Sequence, residues 1–193
     1  MKPHLTDEDY EKAAAELGCE VAAIQAVADV ESAGNGFLDD DQPKILFEAH
    51  HFSRLTGHQY DTSHSSISSR YWNRSLYKGD KKEHDRLAEA AALNREAALQ
   101  SASWGKFQVM GFNYASCGYG TLQGFINDMY ESESGHLRAF VGFIKMNNNL
   151  LVALRARDWA KFALGYNGTG YAANKYDQKM LSAYFRHSGT RLA

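Results

Sequence analysis

Apolar residues recur every three to four positions along most of the chain, the period that lays one face of a helix against a core. Thr6 followed by Asp7, Glu8 and Asp9 marks a helix start, and Leu17-Gly18 marks its stop. In residues 19–32, Val21, Ile24, Val27 and Ala28 form a second stripe, which ends before Ser32-Ala33-Gly34-Asn35-Gly36. Ile45-Leu46-Phe47 is too short for that period and reads as a strand or extended run, leading into a helix over 49–56. Residues 57–70, rich in Ser and His, show no period and read as an exposed loop. Further helices are predicted over 83–100, 121–133, 136–147 after an interruption at Gly135, 150–155, 158–165 and 171–186. Residues 103–110 taken alone read as a helix start with Phe107 and Met110 in the core. No repeat, low-complexity tract or linker divides the sequence. Residues 1–193 are therefore expected to form a single, mainly α domain with at most a small β element near residues 44–48.

Composition narrows the class. Hydrophobic content of 44% and charged content of 23% describe a globular chain, and no apolar run approaches the roughly 20 residues of a membrane span. The N-terminus MKPHLTDEDYEK is acidic and polar, so no secretory signal is expected. Cys19 and Cys117 are too few for a zinc site and are expected to be small buried thiols. Charge is uneven: residues 1–41 carry 2 basic and 11 acidic side chains, whereas residues 151–193 carry 7 and 2. A basic end suggests a polyanionic partner. Lys175, Lys179, Arg186 and Arg191 lie beside Tyr176, Met180, Leu181, Tyr184 and Phe185. The C-terminal helix 171–191 is thus a candidate for contact with an anionic outer membrane.

One residue breaks the apolar pattern. At about 100° per residue, Glu31 falls between Ile24 and Val27, inside the stripe that should face the core. A carboxyl group held there should keep its proton near neutral pH, as a general acid must. Later in the chain come Ser103-Trp104-Gly105-Lys106-Phe107-Gln108-Val109-Met110 and then Tyr166-Asn167-Gly168. Gly105 leaves room for a ligand or for close backbone approach, and Gln108 can both donate and accept. Tyr166 has a flat apolar face with a polar tip, and Asn167-Gly168 suits a tight turn.

The order Glu-Ser, Ser-x-Gly-x-x-Gln, Tyr-Asn-Gly resembles the lysozyme-like superfamily of goose-type lysozymes and soluble lytic transglycosylases. Pro43-Lys44-Ile45-Leu46-Phe47-Glu48-Ala49-His50, with 102–108, is more closely similar to the phage-associated N-acetylmuramidase endolysins, over nearly the whole chain. The resemblance implies a lysozyme-like helical fold and cleavage of the peptidoglycan β-1,4 bond between N-acetylmuramic acid and N-acetylglucosamine. Glu31 would be the acid, with Ser103, Gln108, Tyr166 and Asn167 in the sugar-binding set. It implies no cofactor, metal or nucleic acid and a monomer, made in the host bacterial cytoplasm and later released to the wall.

A second carboxylate is expected to activate water. Glu48 leaves the apolar run 45–47 and is the first candidate; Asp39, Asp40 and Asp41, in a polar loop, are the others. Ala33-Gly34-Asn35-Gly36 and Lys106-Phe107 depart from the transglycosylase pattern and favour hydrolysis over 1,6-anhydro transfer. A non-catalytic wall-binding protein on the same fold is a competing reading. So is a di-iron protein, because Glu48-x-x-His51 and Glu133-x-x-His136 both have ligand spacing.

Overall fold

The computed structural model describes residues 2–32 and 35–189; Ala33 and Gly34 of the glycine-rich stop and Arg191 of the basic terminus lie outside the described residues. Thr6 caps α1 (Asp7–Leu17) through a reciprocal pair with Asp9, and Gly18 at φ 61° closes it. In α2 (Val21–Ser32), Ala23, Ile24, Ala26 and Val27 are wholly buried, which makes it the central helix; it packs against α1 and against the C-terminal helix.

β1 (Ile45–Phe47) leads through Glu48 into α3 (Ala49–Leu55). The stretch that follows is turn-rich but not wholly exposed. Ile67 and Ser68 are buried, and the Ser68 hydroxyl donates to Asp61 at 2.6 Å. α4 (Lys81–Gln100) is broken at Asn94, φ −154°, whose side chain accepts the Ala97 amide at 3.0 Å and caps the second segment.

The largest difference from the sequence-based expectation lies at 102–110. β2 (Ala102–Trp104) and β3 (Val109–Met110) replace the helix start and extend β1 into an antiparallel sheet of order β1-β2-β3. Ile45 faces Trp104 across one pairing, and Trp104 faces Val109 across the other. Gly105 at φ 67° and Gln108 at φ 50° occupy the left-handed region, which a right-handed helix cannot use.

α5 (Leu122–Glu131) and α6 (Glu133–Met146) part at Ser132, not at Gly135. A Cβ on Gly135 would lie 2.4 Å from the Asp128 carbonyl oxygen, so this glycine marks close helix contact rather than a break. Asn147 closes α6 and caps α7 (Asn148–Ala156). α8 (Trp159–Asn167) and α9 (Tyr176–Ser188) follow. α9 starts later than predicted because Thr169–Tyr171 is a 3-10 turn and Lys175 is left-handed. The apolar side of α9, with Met180 and Tyr184, is buried, and the helix packs on α2 and α8. Among the described residues, no helix is long and apolar enough to cross a membrane. The thiols of Cys19 and Cys117 are unpaired, the first half-buried and the second buried.

Candidate active site

The C-terminal end of α2, the sheet and the start of α4 enclose a cleft of about 340 Å³ whose lining includes Glu31, Lys44, Leu46, Asp80 and Gln108. Ile24 and Val27 are fully buried, and Glu31 on the same stripe is half-buried at the cleft wall. Burial pushes its carboxyl up from 4.5 to about 7, against a hydrogen bond from Asn167 that favours ionisation. That bond runs from Nδ2 of Asn167 to Oε1 of Glu31 at 2.9 Å. Asn167 is the last residue of α8, ended by Gly168 at φ 77°, and its Oδ1 is buried with no hydrogen-bond partner among the described residues.

The β2–β3 turn supplies the opposite wall. The Ser103 hydroxyl donates to Oε1 of Gln108 at 2.7 Å, while Nε2 of Gln108 donates to the Gly105 carbonyl at 2.9 Å. Ser103 thus aims Gln108 rather than lining the cleft itself. Gly105 is needed for packing as well as for its backbone angle: a Cβ there would lie 2.6 Å from the buried His136 ring. His136 accepts the Lys106 amide at 3.0 Å and donates to the Met129 carbonyl at 2.8 Å. Tyr166 is not among the described lining residues. Its hydroxyl donates to the Phe107 carbonyl at 2.7 Å and its ring stacks on Phe162 at 5.5 Å, so it supports the turn from behind.

Glu48 also lies off the described lining, two residues beyond Leu46 on the strand that borders the cleft. The Tyr77 hydroxyl donates to its oxygens at 2.8 and 3.0 Å, and Nδ1 of His50 is 3.2 Å from Oε2. Burial raises its pKa, partly opposed by the Tyr77 bond. The sequence reading missed two carboxylates that do line the cleft. Glu83, fully buried, accepts the Phe47, Lys78 and Gly79 amides and pairs with Arg86 at 2.8 Å, so it fastens β1 to α4. Its only signal was a Glu-x-x-Arg spacing on an Ala-rich helix. Asp80, at φ 45°, makes no side-chain cap bond to α4, and its carboxylate has no partner among the described residues. Of the loop aspartates, Asp40 pairs with Lys81 at 2.8 Å and Asp41 accepts the Lys2 amide at 3.1 Å.

The Glu-x-x-His pairs do not act as joint ligand sets. Glu48 is held by Tyr77, Glu133 accepts the Gly36 and Leu5 amides, and His136 serves the turn, while Nδ1 of His51 is buried with no hydrogen-bond partner among the described residues. Among the described residues no group of three His, Cys, Asp or Glu could hold a metal ion.

A family model described as N-acetylmuramidase matches residues 20–188. The chain belongs to the N-acetylmuramidase family. Its fold is also that of the crystal structure of Burkholderia AP3 phage endolysin, with a TM-score of 0.90 at 41% identity, over 96% of this chain and 71% of that one. No curated protein matches it. This N-acetylmuramidase is a lysozyme-type peptidoglycan hydrolase, with helices around a small sheet as the resemblance implied.

Proposed function

We propose that this N-acetylmuramidase hydrolyses the β-1,4 bond between N-acetylmuramic acid and N-acetylglucosamine, with Glu31 as general acid. The observation that carries the reading is a carboxyl at the cleft wall, desolvated until it titrates near 7. Near neutral pH this carboxyl therefore still carries the proton that the leaving oxygen must receive, where an ordinary glutamate would have lost it. As it transfers, the C–O bond breaks and Glu31 becomes anionic. The Asn167 amide already donates to that carboxylate and favours the charged product state. Gln108, its Nε2 taken by the Gly105 and Lys44 carbonyls and its Oε1 held by Ser103, presents the remaining acceptor capacity of Oε1 along the wall to a sugar hydroxyl or acetamido N–H.

Glu48 is the proposed water-activating partner, because β1 delivers it beyond Leu46 and burial raises its basicity. Tyr77 must then yield one oxygen. Glu48→Gln is expected to lower kcat by about 100-fold or more, and Asp80→Asn by less than about tenfold. The reverse order would assign the water to Asp80.

The rival outcome is intramolecular transfer. Mass spectrometry of digested peptidoglycan is expected to find muramic-acid reducing ends; 1,6-anhydro ends would replace hydrolysis by transglycosylation. In this reading the protein acts as a monomeric endolysin on host wall, reached after release from the cytoplasm. Met180 and Tyr184 are occupied in the core, so any contact of 171–191 with an anionic outer membrane would fall to the cations of the helix and to the exposed Leu181.

A further inference from the structure

The cleft does not end at Asp80. A second chamber of about 630 Å³ continues it, sharing Lys44 and Asp80 with the first and adding Lys78, Lys81 and Lys82. Lys81 is neutralised by Asp40 at 2.8 Å. The ammonium groups of Lys44, Lys78 and Lys82 have no ion-pair or hydrogen-bond partner among the described residues. Asp39 and Asp80 are the acids on the same wall, so its lining is net positive in a chain whose total charge is −2. Helix stability does not explain these cations. Lys81 and Lys82 occupy the first turn of α4, where the helix dipole disfavours positive charge and Glu83 is the single acid.

We infer that this lysine-lined continuation binds the carboxylates of the peptide stems that hang from the glycan. The enzyme's substrate is then the stem-bearing strand rather than bare glycan. The assignment rests on the muramidase reading above, because the chamber opens from the cleft that reading fills with sugar. The ligand must be anionic and attached to whatever occupies that cleft. In the polymer the lactyl carboxyl of muramic acid is itself tied up as an amide to the stem. Negative charge therefore arrives through the stem's own carboxylates, within reach of a strand already bound.

The test is a steady-state comparison on solubilised, uncrosslinked peptidoglycan strands, native or with their free carboxylates converted to neutral amides. For the wild-type chain, amidation is expected to raise KM about three- to tenfold at low salt, with kcat unchanged, the size appropriate to two or three exposed ion pairs. Lys78→Ala/Lys82→Ala should show the raised KM on native strands and no further rise on amidated ones. Lys78→Arg/Lys82→Arg should behave as wild type. Salt of about 0.5 M should erase the difference by screening. A double alanine variant with wild-type KM on native strands would overturn the assignment, as would an equal response to amidation in both proteins. A KM that follows removal of phosphate-rich wall polymers, and ignores amidation, would overturn it too. If the wild-type chain released no muramic-acid reducing ends from native strands, the muramidase reading would fail first and take this assignment with it.

Discussion

Glu31→Gln is expected to lose about 10³-fold in kcat, within the range for removing a general acid, while making the protein more stable at pH 8 by up to about 3 kcal/mol. The two effects have one cause. Burial raises the folded-state pKa of Glu31 to about 7 from an ordinary 4.5. The folded chain therefore holds this proton more tightly than the unfolded chain does. Below pH 4.5 both states are protonated and the residue contributes no penalty. Between 4.5 and 7 the unfolded state ionises alone, and stability falls by about 1.4 kcal/mol per pH unit. Above 7 the penalty is complete and constant. Glutamine imitates the protonated carboxyl without its acidity, so it removes the penalty and the catalyst together. Urea unfolding at pH 4 and pH 8 should show no gap between variant and parent in acid and the full gap in base. The parent's kcat/KM should fall above pH 7 as the acid deprotonates, and the variant's residual rate should lack that limb. Equal stability at pH 8, or a rate within about tenfold of the parent, would leave the proposed chemistry without its proton donor.

Features fixed by single residues were legible in the chain. Thr6, Gly18, Thr121 and Asp158 cap or end helices where the sequence placed them, because capping is local chemistry. Glu31 was legible for the same reason, since the helical period alone places it on the stripe of Ile24 and Val27. The hairpin at 102–110 was not. Its strands are three and two residues long, too short for alternation to register, and the left-handed Gln108 has no sequence signature. Site geometry depends on partners far apart in sequence. Asn167 reaches Glu31 across 136 positions, and only the motif order placed them together beforehand. Glu48 was correctly read as emerging from an apolar run, but its engagement by Tyr77 follows from how the turn-rich stretch folds back. Gly105 was read as leaving room for a ligand or for close backbone approach, whereas the structure packs the His136 ring against it, a contact 31 positions away that the sequence does not announce.

That His136 contact belongs to the clamp behind the second large prediction. Glu133→Ala is expected to destabilise the protein by about 3–5 kcal/mol, the cost of breaking a buried ion pair and leaving the Gly36 and Leu5 amides without their acceptor. Glu133 is 1% exposed and lies at the start of α6. Its Oε1 accepts the Gly36 amide at 2.7 Å and is 3.4 Å from the Lys106 ammonium, and its Oε2 accepts the Leu5 amide at 3.1 Å. Burial works against ionisation, but these amides and Lys106 outweigh it and hold the carboxyl below its usual range. The pH dependence is therefore opposite to that of Glu31. The clamp contributes fully above the ordinary value of 4.5 and is lost as pH falls through the depressed folded value. The difference between Glu133→Ala and the parent should accordingly narrow in acid. Function should follow, because the carboxylate ties together two cleft walls. Gly36 lies between Asn35 and Leu38 on one side, and Lys106 lies between Gly105 and Gln108 on the other. Loosening both should raise KM more than it lowers kcat, since Glu31 and Asn167 are held by α2 and α8 instead. Glu133→Ala/Lys106→Met, which removes both members of the ion pair, should regain part of the stability but not the low KM, because the Gly36 amide still lacks its acceptor. A single variant within about 1 kcal/mol of the parent in urea, with an unchanged KM, would mean the walls are held by something other than this carboxylate.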